Sequence, residues 1–161
     1  MNSPENPNTS SHANPGAGAN ASVLDVSGKY HFNSREDRLN AAALFNFFGI
    51  TQEWGCGPKD QMILLGGPSK SSFYRMRDFV EDKADRPPKL SRDALERISY
   101  IMGIYKALNI LLPSERRAAE WVNKANNHPL FGGRTALDVM RQGRVIDLAD
   151  IRRYVDAERG L

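Results

Sequence analysis

Leu64-Leu65-Gly66-Gly67-Pro68-Ser69-Lys70-Ser71-Ser72-Phe73-Tyr74-Arg75-Met76-Arg77 reads as a helix end, a turn and a helix start in immediate succession. The glycine pair stops the helix before it, which opens at Gly57-Pro58 and carries Met62, Ile63 and Leu65. Proline suits that opening because the first helical turn has no use for its missing N–H. Ser69 is a good N-cap for the helix that follows. There Phe73, Met76 and Val80 fall on one inward face, with Phe79 beside them. Two short helices, a tight glycine turn and a helix upstream to pack them form the helix-turn-helix pattern.

Upstream, Ser34 caps a helix whose apolar positions Leu39, Ala42, Ala43, Leu44, Phe47 and Phe48 recur at helical spacing. Gly49 is its expected end. Downstream, residues 81–89 are charged and contain Pro87-Pro88, a loop. Ser91 then caps the longest helix, which runs to about Leu112 before Pro113. Its apolar residues, from Leu95 to Leu112, fill more than one stripe, so two faces require burial. One face serves the domain core; the other implies a neighbouring domain or a second subunit.

Ser114 caps a further helix through Trp121 and Val122, and residues 126–133 form a turn-rich loop. Thr135 and Asp138 have capping-box spacing, with Asp in place of the usual Glu. That helix ends at Gly143, and a last one carries Leu148, Ile151, Tyr154 and Val155. No strand pattern and no internal repeat interrupts the series, so the expected class is all-α. Residues 1–32 are rich in Asn, Ser, Pro, Gly and Ala and poor in large apolar side chains, which predicts a disordered tail. Residues 33–112 form the expected helix-turn-helix domain and 113–161 a second, small helical domain.

The 161 residues carry a net charge of +3, with a pI near 9.1 and a mean hydropathy of −0.52. Such a mild excess permits a nucleic-acid partner without requiring one, so its distribution matters more. Residues 69–77 hold Lys70, Arg75 and Arg77 and no acid. Ser69, Lys70, Ser71, Ser72, Tyr74, Arg75 and Arg77 are the expected DNA-contacting set. Serines and helix N-terminal N–H groups suit phosphates, and arginine offers two donors to a guanine edge. The competing reading is an ordinary amphipathic helix with a solvated basic face.

One cysteine, Cys56, excludes an intrachain disulfide and a cysteine zinc cluster. Residues 1–22 lack the basic and apolar regions of a secretory signal, and no apolar run is long enough for a membrane span, so a cytoplasmic protein is expected. An enzyme is not expected. His12, His31 and His128 are isolated, Gly66-Gly67-Pro68-Ser69 lacks the phosphate-loop lysine, and no cation or His adjoins Cys56 in sequence. Neither a cofactor nor a metal is called for.

The run Leu95-Glu96-Arg97-Ile98 with Gly103-Ile104-Tyr105-Lys106-Ala107-Leu108 resembles the helix linking the two domains of Xre/MbcA/ParS-type antitoxins. Trp121-Val122, then Asn127-His128-Pro129-Leu130-Phe131-Gly132-Gly133-Arg134-Thr135-Ala136-Leu137-Asp138 and Gly143, resemble that family's toxin-binding domain. Ala136 stands where proline is common in the family. The resemblance, over about residues 36–161, implies an antitoxin of a RES–Xre type II system. Its partners would be a RES-domain toxin acting on NAD, whose active site it blocks, and its own operator DNA. The alternative is a stand-alone helix-turn-helix repressor with a C-terminal dimerisation domain.

The expected toxin-binding set has two parts. In the loop, Leu130, Phe131, Gly132, Gly133 and Arg134 are candidates; Leu130 and Phe131 either plug the core or anchor a partner. At the far end Glu158, Arg159, Gly160 and Leu161 follow the last helix as a segment free to enter a cleft, or simply fray. A homodimer, motivated by the doubly apolar helix 92–112, would set two recognition helices on a pseudopalindrome.

Overall fold

A computed structural model describes Phe32 and residues 34–160. The expected tail, apart from Phe32, and Leu161 lie outside the described residues. Within them the chain is all-α: α1 (Arg35–Glu53), α2 (Pro58–Leu64), α3 (Lys70–Val80), α4 (Arg92–Leu111), α5 (Glu115–Trp121), α6 (Ala136–Met140) and α7 (Val145–Glu158). An isolated antiparallel bridge, Ala125 with Thr135, is the one extended pairing among them.

The caps explain most boundaries. Ser34, Ser69 and Ser91 each accept a bond from the backbone N–H three residues on, at 3.0, 3.2 and 3.1 Å. Ser114 precedes α5 without such a bond. The Thr135 and Asp138 box closes both ways, the Asp138 N–H donating to Thr135 Oγ1 at 3.0 Å and the Thr135 N–H to Asp138 Oδ2 at 3.3 Å.

The expected stop at Gly49 is corrected: α1 continues to Glu53. Ile50 and Thr51 are buried, so packing outweighs one glycine's weak helix propensity. The stop is Gly55, at φ +78°, just past the C-cap Trp54. There the Cys56 N–H returns to the Thr51 carbonyl at 2.9 Å, the closing bond of a Schellman turn.

Helix α4 is the spine. One side packs on α1 and the other on α7. Its second apolar face is therefore covered from within the chain, and no second subunit is needed to explain it. Phe47, Phe73, Phe79, Ile98, Ile101, Phe131, Leu137 and Ile151 all belong to one continuous buried cluster.

Two charged links reach the turn between α6 and α7, one from α2 and one from α4. Arg141 Nη2 lies 3.0 Å from Asp60 Oδ2. Arg97, 9% exposed, donates from Nη1 to the Gly143 carbonyl at 2.7 Å and from Nε to Asp93 Oδ2 at 2.9 Å. Gly66 (φ +89°) covers this guanidinium so closely that a Cβ there would lie 2.6 Å from Asp93 Oδ2 and 2.9 Å from Arg97 Nε. The positive φ favours glycine at Gly66, and a side chain there would push the Asp93–Arg97 pair aside.

Candidate functional site

Helix α3 divides nearly as its periodicity predicts, except that Phe79 takes the buried place expected of Val80, which is half-buried. Phe73, Met76 and Phe79 are buried. Ser69, Lys70, Ser71, Tyr74 and Arg75 are exposed and Ser72 is half-buried. The three serine hydroxyls converge at the helix start: Ser69 Oγ lies 3.2 Å from Ser71 Oγ and donates to Ser72 Oγ at 3.0 Å. Arg75 Nη2 reaches Ser72 Oγ at 3.3 Å, which tethers its guanidinium to that end.

Arg77 is less available. It pairs with Glu81 at 2.8 Å and lies 5.8 Å from the Tyr74 ring centroid. The Glu81 carboxyl is held below its usual range by hydrogen bonds from Lys83 and then Arg77, and so stays anionic. The basic surface is therefore concentrated on Lys70 and Arg75.

The 126–134 loop spends its polar groups internally. The Gly133 N–H donates to the Asn126 carbonyl at 2.9 Å, and the Asn126 N–H to the Arg134 carbonyl at 3.1 Å. Gly132 and Gly133, at φ +59° and +85°, make this closure possible. Arg134 Nε donates back to the Phe131 carbonyl at 3.0 Å. Phe131 itself is 0% exposed. Its side chain meets Trp121 and Tyr154 edge-on, with centroids 5.8 and 5.2 Å apart. Of the two roles open to it, Phe131 occupies the core one; Leu130, half-buried, packs against the same core.

At the far end, Glu158 is the last residue of α7 and Arg159 its C-cap. Glu158 is therefore helical, which corrects its expected place in a segment following the helix. Asp156 explains the added order, bonded by Arg152 Nε at 2.6 Å and lying 3.6 Å from Arg159 Nη1. The loop and this end meet through Tyr154, which stacks on Trp121 and approaches His128 with centroids 4.7 Å apart.

The C-terminal residues 107–160 match the family model of the antitoxin Xre/MbcA/ParS C-terminal toxin-binding domain. The chain is also 42% identical over 119 residues to the uncharacterized protein y4oB of Sinorhizobium fredii (strain NBRC 101917 / NGR234), covering 74% of this chain and 85% of that one. No solved structure matches it. The chain belongs to the Xre/MbcA/ParS antitoxin family.

The antitoxin's matched segment opens inside α4, so the spine helix belongs partly to the toxin-binding domain. Within that segment lies a feature the sequence reading passed over, a notch of about 190 Å³. Leu111 and Leu112 from the end of α4, Trp121 from α5, and Tyr154, Val155 and Glu158 from α7 line it. Periodicity marked these apolar residues as packing positions; it carries no signal that three helix ends leave a gap between them.

Cys56 sits elsewhere, in a cavity of about 280 Å³ with Gln52, Gln61, Arg77 and Glu81. The fold brings it near a cation that sequence adjacency did not show, Arg141. Burial first, and Asp60 second, nevertheless push its thiol up to about 11, so it is protonated at neutral pH. Among the described residues no His, Cys, Asp and Glu group of three or more could hold a metal, and no helix is long and apolar enough to cross a membrane.

Proposed function

We propose that this antitoxin neutralises a RES-domain toxin by covering its NAD site, and represses its own operon by laying α3 in the operator's major groove. Support for the toxin half is the match of residues 107–160 to a toxin-binding domain. Support for the DNA half is the exposed, acid-free run of Ser69, Lys70, Ser71, Tyr74 and Arg75 at the start of α3. Side chains there face solvent from a helix whose other side is anchored by Phe73, Met76 and Phe79. On this reading residues 33–112 form the DNA-binding domain, and residues 113–161 meet the toxin together with the last turn of α4, in the cytoplasm and without a catalytic step or cofactor.

Ser69, Ser71, Ser72 and Lys70 position the helix on phosphates, while Tyr74 and Arg75 face the bases. Two copies on a pseudopalindromic operator complete the arrangement. Leu130, Gly132, Gly133 and Arg134 shape the toxin-facing side. Glu158, at the end of α7, borders the toxin, and Arg159, Gly160 and Leu161 enter the cleft, where the Arg159 guanidinium pairs with anionic groups of the toxin.

The deciding experiment is co-expression with the product of the adjacent reading frame. Rescue of growth and a stable complex with a RES-domain protein are expected; a partner of another fold overturns the RES assignment. A gel shift on the upstream DNA over a salt series tests the other half, since counterion release makes genuine binding fall steeply with salt. Absence of any specific shift removes the repressor claim.

A further inference from the structure

The notch at the end of α4 carries an inference about how the toxin is held. It rests on the membership of residues 107–160 in a toxin-binding domain and not on the toxin's being of the RES type. All its lining residues fall in that segment, whereas the Cys56 cavity is lined only by residues 48–81 and lies wholly outside it. A third depression, around Trp54 and Asn123, is shared with the end of α1. Of these three, the notch alone is built entirely by the domain that meets the toxin.

Its size and chemistry say what fits. At about 190 Å³ it is below the roughly 300–1,000 Å³ of small-molecule sites. The walls are aliphatic and aromatic, and a lone carboxylate, Glu158, is the charged group among the lining residues. A cofactor site would need several converging polar groups to orient its ligand. An apolar pocket with tryptophan and tyrosine in its walls and a charge beside it is instead how an interface receives one large anchoring side chain.

We infer that the toxin seats an apolar side chain in this notch, against Trp121 and Tyr154, with a basic group of the toxin meeting Glu158. The 126–134 loop then serves recognition at one remove. Phe131 supports both aromatic walls from behind, and His128 supports Tyr154. The glycines fold the loop that places Phe131 there. The loop shapes the pocket without filling it.

The test uses the full chain co-purified with the toxin of the adjacent reading frame, with dissociation measured for the wild type and three variants. Leu112→Glu places a charge at the half-buried mouth, and Glu158→Arg reverses an exposed one. The third, Arg153→Ala, removes an exposed side chain of α7 that lies outside the notch. Thermal melting confirms that each variant is folded. Leu112→Glu is expected to weaken the complex about 100-fold and Glu158→Arg about tenfold, with Arg153→Ala changing it less than about threefold.

Glu158→Arg matters most if Leu112→Glu disturbs folding, because its side chain is exposed and needs no repacking. Wild-type affinity in a folded Glu158→Arg and a folded Leu112→Glu overturns the notch and leaves the RES reading untouched. A toxin of another fold that still depends on both residues overturns the RES reading and supports the notch. Failure of the wild type to bind the toxin at all overturns both.

Discussion

Helix α3 and the 126–134 loop treat their distinctive residues in opposite ways. On α3 the polar residues that attract attention in the sequence stand in solvent: Tyr74 is 46% exposed, and Lys70, Ser71 and Arg75 are exposed with it. In the loop, the residues that carry the family resemblance are consumed in building the loop. Phe131 is in the core, Arg134 bonds the Phe131 carbonyl, and Thr135 and Asp138 cap one another. A motif can therefore be specific to a family because it folds the binding domain, while the contact surface is made by less conspicuous neighbours. On α3, motif and surface coincide.

The sharpest way to break this contrast is Phe131→Ala. A large aromatic lost from a fully buried site costs about 3–5 kcal/mol, a large fraction of a small domain's stability. The urea midpoint should fall accordingly, and toxin binding should fail with it. Phe131→Leu, which keeps most of the volume, should recover much of both. If Phe131→Ala stays as stable as the wild type yet loses the toxin, Phe131 is a contact after all.

Arg97→Met probes the link between the spine helix and the α6–α7 turn, beneath the turn that precedes α3. The guanidinium bonds both Asp93 and the Gly143 carbonyl beneath the Gly66 turn. Asp93 is half-exposed, with a side-chain accessibility of 53%, and rehydrates when its partner leaves. The cost therefore sits near the lower end for charge-assisted bonds, about 2 kcal/mol. Amide exchange at Gly66 and Gly67 should quicken more than at α5. A change below about 0.5 kcal/mol with unaltered exchange would show that the link is ornamental.

Much of this architecture was legible from local chemistry. Ser34, Ser69 and Ser91 start helices, and Gly66-Gly67 separates α2 from α3, because caps and turns depend on residues a few positions apart. Gly49 misled for the complementary reason: its fate is set by burial of Ile50 and Thr51, which depends on distant helices. The second face of α4 was evident as apolar, but its occupant, α7, lies some fifty residues on. Arg97 with Gly143, Arg141 with Asp60, and the notch between three helix ends are products of tertiary packing with no local pattern to announce them.

On α3 the contrast sharpens within two neighbouring arginines. Arg75→Ala should weaken operator binding about 10- to 100-fold, the range for loss of a paired base contact, and leave melting unchanged. Arg77→Ala should weaken it only a few-fold, because Glu81 already holds that guanidinium at 2.8 Å. Titration of a labelled operator at fixed salt decides between them. Equal losses would mean that Arg77 leaves Glu81 to reach the DNA.

The smallest effect falls at the cap that closes the loop. Thr135→Ala should cost about 1 kcal/mol, the usual value for a lost N-cap. Asp138 supplies a pH signature for the same feature. The Thr135 hydroxyl, then the Thr135 backbone and the Arg141 guanidinium, hold its carboxyl below the ordinary 3.8. A carboxyl lowered in the folded state contributes stability above its unfolded value and loses it as pH falls through the folded one. Asp138→Asn should therefore melt slightly lower than the wild type at neutral pH. The gap should close as the pH drops below about 4, near the ordinary value for Asp. A gap constant down to pH 2 would show that the side chain acts by shape rather than by charge, and that the box closes the loop without its carboxylate.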